Sequence, residues 1–119
     1  MKAASYLNEV GVVCAVGASR ADVARRVFAA DSGVLPSAVF SPGRELPVGL
    51  VTTSLPSLAS HPVAVRSRNN QLALAAANQL RPVIEAAIAR YGASRVAVVV
   101  GTSTSGIGES ETAIREYVA

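Results

Sequence analysis

The stretch with the most suggestive chemistry is VVVGTSTSGIGESE, residues 98–111. A run of valines stops at a glycine, and small or hydroxyl residues and two carboxylates follow. Gly101 and Gly106 have the spacing of the glycines in a phosphate-binding loop, GxxxxGK[ST]. That loop needs Lys next, for charge on the phosphates, and then Ser or Thr as a metal ligand. Ile107 and Gly108 occupy those two positions, so both chemical groups are missing.

The same stretch has two other possible functions. A nucleophile elbow, GxSxG, would need glycine at Ser105, and its histidine should follow the serine, whereas His61 is the only histidine and precedes it. A weaker reading is that backbone amides at the start of a helix hold an anion or a partner at Gly101–Gly108. This last reading stays open as an alternative.

The remaining reactive side chains point to no catalytic or metal site. Cys14 is the single cysteine, which excludes an internal disulfide and a cysteine-based metal cluster. It lies in an apolar run without a nearby base, as a small buried hydrophobic residue would. His61 precedes Pro62 in a predicted loop. We therefore expect neither a metal nor a cofactor, and we expect Arg66 and Arg68 to be solvated, to anchor a loop to a carboxylate, or, less favoured, to contact a ligand.

Composition restricts the classes of protein to which the chain can belong. At 119 residues it forms at most one domain, and 50% hydrophobic against 16% charged residues argues against disorder. The net charge is +3, yet the basic residues are dispersed and do not alternate with aromatic side chains, so we expect no nucleic-acid partner. No window approaches the roughly 18 apolar residues of a membrane span. The sequence therefore predicts a soluble, cytoplasmic protein that does not bind membranes.

Periodicity and capping signals predict alternating strands and helices. SRAD, beginning at Ser19, is a capping box for a helix whose Val23, Val27 and Phe28 should face inward. Pro82 should kink or divide the longest helix, and Gly92 should end it. Residues 34–45 are rich in proline and glycine and predict a loop. The predicted strands are Val10–Val16, Leu46–Thr53 and the continuous apolar run at 95–101; the predicted helices are Arg20–Ala30, Asn69–Tyr91 and Glu109–Val118.

This β–α–β–α–β–α order predicts an α/β sandwich around a largely parallel or mixed sheet. The run at 95–101 is apolar at every position from Val96 to Val100. A strand without alternation belongs in the centre of a sheet that is covered on both faces. We therefore expect helices to pack over this strand.

Four segments resemble, in order, the N-terminal portion of a β-ketoacyl-acyl carrier protein synthase of the thiolase fold. They are the first-strand motif, the turn after the first helix, an arginine-led Ala-rich helix, and a strand with its small-residue loop. SPGRELPVG, RSRNN and GTSTSGIGE together look most like the ketosynthases of aryl polyene pathways. The four segments are VGVVCAVG (10–17), DSGV (31–34), RSRNNQLALAAANQL (66–80) and RVAVVVGTSTSGIGESE (95–111).

The resemblance implies decarboxylative condensation of malonyl-carrier protein with an acyl chain held on a cysteine thiolate. In this family the nucleophilic cysteine and two partner residues, both His or His and Asn, come after the small-residue loop. Nothing in this sequence matches them, and Cys14 lies in the wrong motif. We therefore expect residues 1–119 to be an N-terminal segment of the synthase domain, truncated before the nucleophile region and inactive by itself.

The resemblance also implies partners and one substrate-binding position. The complete enzyme binds acyl carrier protein and forms a homo- or heterodimer. A residue of the small-residue loop lines the acyl pocket in such enzymes: ungapped alignment makes it Thr104, and a shifted alignment makes it Ile107. Two alternatives stay open, a standalone small α/β module and a non-catalytic ketosynthase-like subunit that pairs with a catalytic one.

Overall fold

The computed structural model describes residues 5–101 and 107–118. Within these ranges the chain has three α-helices, two short 3₁₀ helices and one two-stranded antiparallel sheet. The predicted α/β class is confirmed at this level. The predicted parallel or mixed sheet is not found among the described residues, where the sheet is a single hairpin. The helices are α1 (Arg20–Phe28), α2 (Arg68–Tyr91) and α3 (Ile107–Val118), and the strands are β1 (Val34–Ser37) and β2 (Leu46–Gly49).

Helix α1 begins at the predicted capping box. The Asp22 backbone N–H donates to Ser19 Oγ at 3.1 Å, and the Ser19 hydroxyl donates to Asp22 Oδ2 at 3.0 Å. The carboxylate thus bonds the hydroxyl of the cap residue rather than its backbone N–H. Pairing these groups leaves fewer unsatisfied donors at the helix start, which is why SRAD starts a helix.

The end of α1 and its predicted inner face differ from expectation. The helix stops at Phe28, two residues early, and Ala30 adopts a left-handed conformation with φ 58°. The Asp31 backbone N–H then donates to the Arg26 carbonyl at 2.9 Å, which closes the helix end. Val23 is half-buried, but Val27 and Phe28 are 53% and 90% exposed, so their predicted inward orientation is wrong. No layer of the described chain packs over that face.

The hairpin contains residues that were predicted as loop. β1 lies inside residues 34–45, and β2 ends at Gly49, short of the predicted end at Thr53. The register runs from Val34 opposite Gly49 to Ser37 opposite Leu46, which places Pro36 opposite Pro47. Proline is tolerated at an edge, and in a two-stranded sheet both strands are edges. Proline content is therefore a poor signal against strand here.

Two apolar runs predicted as strands are not strands. In the first, Cys14 and Gly17 pair with each other through two backbone hydrogen bonds of 2.9 and 3.2 Å, so the chain turns back within the motif. In the second, residues 96–100 pair with no strand among the described residues. Valine preference for strands is realised only where a neighbouring strand is present, and neither run has one.

The helices in the second half of the chain follow their local signals. α2 begins at Arg68, one residue before the prediction, because the Ser67 hydroxyl accepts the Asn70 backbone N–H at 3.2 Å. It ends at Gly92, whose φ is 86°. Pro82 lies inside one continuous helix, so the predicted division of α2 does not occur, whereas the alternative prediction of a kink stays a prediction. α3 is confirmed, with a start at Ile107 instead of Glu109.

The described residues enclose very little core. Leu58, 7% exposed, is the one buried hydrophobic residue among them. The chain exposes 9,689 Å² and has a radius of gyration of 18.1 Å. A folded monomer of this mass is expected to expose about 6,000 Å², with a radius near 13–14 Å. Much apolar surface is therefore uncovered. None of the helices in the described ranges has the length and apolar character needed to cross a bilayer.

Candidate functional site

The start of α2 is the point where distant parts of the chain meet. The Arg68 backbone N–H donates to Glu109 Oε1 at 3.2 Å, across 41 residues of sequence. The Arg68 guanidinium donates to the Val51 carbonyl at 3.0 Å. The first amides of a helix lack intrahelical partners and attract negative charge, so a carboxylate is a suitable group here. This contact joins the RSRNN segment to the start of α3.

Side chains on both sides of the Ser67 N-cap of α2 hold the preceding loop. Arg66 Nε donates to the His61 carbonyl at 2.8 Å, and Asn70 Nδ2 donates to the Val65 carbonyl at 2.9 Å. Arg66 and Arg68 are both exposed, and their side chains bind backbone carbonyls; the carboxylate partner that the anchoring alternative expected is not found for them in the described part of the chain. His61 is exposed, as predicted, and its Nδ1 lies 3.4 Å from Ser60 Oγ.

Further along α2, Gln79 binds the N-terminal apolar segment. Its Nε2 donates to the Val12 carbonyl at 3.0 Å and to the Ala18 carbonyl at 3.1 Å, while its Oε1 accepts the Val12 backbone N–H at 3.3 Å. One amide side chain thus satisfies the donor and the acceptor of a residue that has no strand partner. The same segment passes so close to α2 that a Cβ on Gly11 would lie 2.2 Å from the Ala76 carbonyl oxygen.

A second network joins the N-terminal segment to the DSGV turn. Arg26 Nη1 donates to the Val16 carbonyl at 2.6 Å, and Arg26 Nε donates to Asp31 Oδ2 at 2.7 Å. Asp31 Oδ1 in turn accepts the Gly33 backbone N–H at 3.0 Å. The hydrogen bond from Arg26, followed by that from Gly33, holds the pKa of the Asp31 carboxyl below its ordinary value of 3.8. The pKa of Arg26 is raised, chiefly by the same hydrogen bond to Asp31.

The Asp31 network predicts a pH dependence of stability. Because the folded-state pKa is lowered, ionised Asp31 stabilises the fold above the unfolded-state value of 3.8, and this contribution disappears as the pH falls through the folded-state pKa. We expect Asp31→Asn to be less stable at pH 7 and to lose less stability than the native chain below pH 3.8. Urea unfolding at pH 7, 5 and 3 tests this, with Glu45→Gln, an exposed carboxylate, as control. If the free energy of unfolding changed with pH by the same amount in the native chain and in Asp31→Asn, the stabilising role of ionised Asp31 would be contradicted.

The predicted acyl-pocket position is only partly described. Thr104 lies outside the described residues. Ile107 is the first residue of α3 and is 55% exposed. Its assignment to a pocket stays a prediction. A shallow depression on the same helix is lined by Gly108, Glu109, Thr112, Ala113 and Glu116.

The other reactive residues form no centre. Cys14 carries a half-exposed free thiol in the Cys14–Gly17 turn, which differs from the buried strand position predicted for it. No group of three or more His, Cys, Asp or Glu side chains that could hold a metal occurs in the described part of the chain. The roles of Gln79 and Gly11 were not predicted. Their signals were a polar side chain within an Ala-rich helix and a glycine within an apolar run.

No protein-family model matches the chain, and no curated protein or solved structure matches it either.

Proposed function

We propose that this chain is the N-terminal segment of a β-ketoacyl-acyl carrier protein synthase and contributes scaffold rather than catalytic groups. The observation that supports the proposal is that the four segments carrying the resemblance contact one another in one continuous series. The contact between Arg68 and Glu109 joins residues 41 positions apart in sequence, and the contact between Gln79 and Val12 joins residues 67 positions apart.

Two of the linking contacts join resembling segments directly, and the third runs through Arg26, which lies between the first and second segments. Arg26 joins Val16 of the first segment to Asp31 of the second. Gln79 of the third segment binds Val12 of the first at both its N–H and its carbonyl. The Arg68 backbone of the third segment binds Glu109 of the fourth. The motifs therefore act as the surfaces through which the elements are held together.

In the proposed enzyme the chemistry comes from residues that this sequence does not contain. A cysteine thiolate would take the acyl chain from its carrier protein, and malonyl-carrier protein would lose CO₂ and attack the acyl thioester. This chain would supply the residue, Thr104 or Ile107, that lines the acyl pocket and limits the length of the acyl chain. The reaction would require no cofactor. Acyl carrier protein and a second synthase subunit would be its partners in the complete enzyme.

A chimera tests the proposal. Residues 1–119 are joined to the remainder of an aryl polyene ketosynthase, beginning after the equivalent of α3 and including its cysteine and both histidines. Condensation of acyl-carrier protein with malonyl-carrier protein is measured by mass spectrometry of the carrier-bound product. We expect a 3-oxoacyl product from the chimera and none from either part by itself.

Two controls make the result specific. A chimera in which the supplied nucleophilic cysteine is replaced by alanine must be inactive, and Cys14→Ser in the active chimera must leave condensation unchanged. A soluble, folded chimera without condensing activity would contradict the proposal. So would acylation of Cys14 in the 119-residue chain by an acyl-carrier donor.

The anion-binding alternative has weaker support. Glu109 and Glu116 line the depression on α3, and Glu109 lies in the first turn of that helix. A carboxylate in the first turn occupies the positive end of the helix dipole and repels an added anion. A non-catalytic partner subunit would share the contacts described above and would leave the chimera inactive.

A further inference from the structure

The side chain of Glu109 joins the starts of two helices. Its Oε1 accepts a hydrogen bond from the Arg68 backbone N–H at 3.2 Å, while Glu109 itself lies in the first turn of α3. The N-cap residue of α2, Ser67, accepts the N–H of Asn70 instead. Because a helix start has several N–H groups without intrahelical partners, the hydroxyl and the carboxylate satisfy different ones. Glu109 thus completes the cap of α2 from a position 41 residues further along the chain.

Packing contributes little to the position of α3. Every residue of this helix, Ile107–Val118, is exposed, so no buried apolar face fixes it against another described element. The N-terminal ends of α2 and α3 both carry positive partial charge, and the carboxylate of Glu109 is favoured at each of them. We therefore attribute the position of the first turn of α3 to the hydrogen bond between Glu109 and Arg68.

The donor of this hydrogen bond is held in place on both sides. Arg68 is the first residue of α2, a continuous helix of 24 residues, and its N–H belongs to the backbone of that helix. Its guanidinium donates to the Val51 carbonyl at 3.0 Å, which ties the same residue to the segment after β2. Glu109 therefore binds an atom with little freedom to move, and the first turn of α3 takes its position from α2.

We propose that Glu109 is a positioning residue of the acyl pocket, and that its hydrogen bond to the Arg68 N–H sets the length of acyl chain that the enzyme accepts. The inference rests on the proposed function, and of the two pocket positions named there it uses Ile107. This residue begins α3 and precedes Glu109 by about 3 Å along the helix axis. Without the hydrogen bond the first turn of α3 can move away from the acyl chain, so the pocket takes longer chains.

Competition between two acyl chains in the chimera tests the proposal. The longest saturated chain that the unsubstituted chimera readily accepts and one longer by a two-carbon unit, both on carrier protein, react together, and mass spectrometry gives the ratio of their 3-oxoacyl products. This ratio does not depend on how much of a variant is folded. Glu109→Ala should shift it about three- to tenfold toward the longer chain, the range expected for loss of one hydrogen bond. Adding Glu109→Ala to Ile107→Ala should change the ratio little further, because Glu109 acts through Ile107.

Two matched variants separate the hydrogen bond from other effects. Glu109→Gln keeps the accepting oxygen and should keep the unsubstituted ratio, and Glu111→Ala, which removes an exposed carboxylate from the other side of the same helix, should keep it too. An unchanged ratio in Glu109→Ala, or an equal shift in either matched variant, overturns this inference and leaves the proposed function intact. An unsubstituted chimera that is folded but inactive overturns the proposed function and this inference with it.

Discussion

Gly11→Ala is expected to lower the free energy of unfolding by about 1–3 kcal/mol, the typical range for overpacking a site that cannot relax freely. The added methyl group would lie 2.2 Å from the Ala76 carbonyl oxygen and 3.3 Å from Leu80 Cγ. The first of these atoms is backbone in the middle of α2, which cannot rotate away as a side chain would. The N-terminal segment must therefore move off the helix. Urea unfolding followed by far-UV circular dichroism measures the loss.

Gly101→Ala is the matched control, because no atom of the described residues lies within 4 Å of a Cβ at that position and its backbone is not in the left-handed region. It should be neutral within about 0.5 kcal/mol. Hydrogen exchange adds a local readout. In Gly11→Ala the amide of Val12 should exchange faster while those at the start of α2 keep their rates. Equal stability of the two alanine variants would show that the close approach of segment and helix does not hold in solution.

Gln79→Leu is expected to cost about 2–3 kcal/mol. Leucine is similar in size, so the substitution removes hydrogen bonds with little change in volume. It leaves the Val12 N–H, the Val12 carbonyl and the Ala18 carbonyl without their side-chain partner. These contacts are partly buried, and each unpaired buried group typically costs about 1–3 kcal/mol, reduced where water can enter.

The neighbouring Asn78→Leu is the control, since Asn78 is exposed and accepts a hydrogen bond from Arg81 of the same helix at 2.9 Å. Its effect should stay within about 0.5 kcal/mol. Gln79→Glu separates the hydrogen bond that the Gln79 side chain accepts from the two that it donates. The carboxylate can still accept from Val12 N–H but faces two carbonyl oxygens, so this variant should be less stable at pH 7 than at pH 4. A Gln79→Leu chain as stable as Asn78→Leu would show that the hydrogen bonds of Gln79 do not stabilise the fold.

Helices were the part of the fold that local sequence could predict. Ser67 and Gly92 bracket α2 within one residue of the predicted limits, and Ser19 starts α1 where expected. A cap hydroxyl or a left-handed glycine acts on amides and carbonyls a few residues away, so no distant partner is needed. Pro82 was the exception: its effect on the helix depends on how the rest of α2 accommodates it.

For the candidate site, the sequence could indicate which residue types take part but not which groups they contact. For Arg66 and Arg68 the sequence left solvation, anchoring to a carboxylate and a ligand contact open, and their observed partners are carbonyls at His61 and Val51 that no motif indicates. Gln79 and Gly11 were missed. Their importance comes from the approach of two segments 67 residues apart, which no periodicity in either segment expresses.

The sequence by itself determined the α/β class, the capped helices and the apolar character of the runs at Val10–Val16 and Val96–Val100. The tertiary structure decided that neither run is a strand within this chain and that strand pairing occurs at the proline-containing hairpin instead. The physical reason is that a helix satisfies its backbone internally, whereas a strand requires hydrogen bonds from another strand. A valine-rich sequence favours the extended conformation of a strand, and only the tertiary structure shows whether a neighbouring strand is present to pair with it.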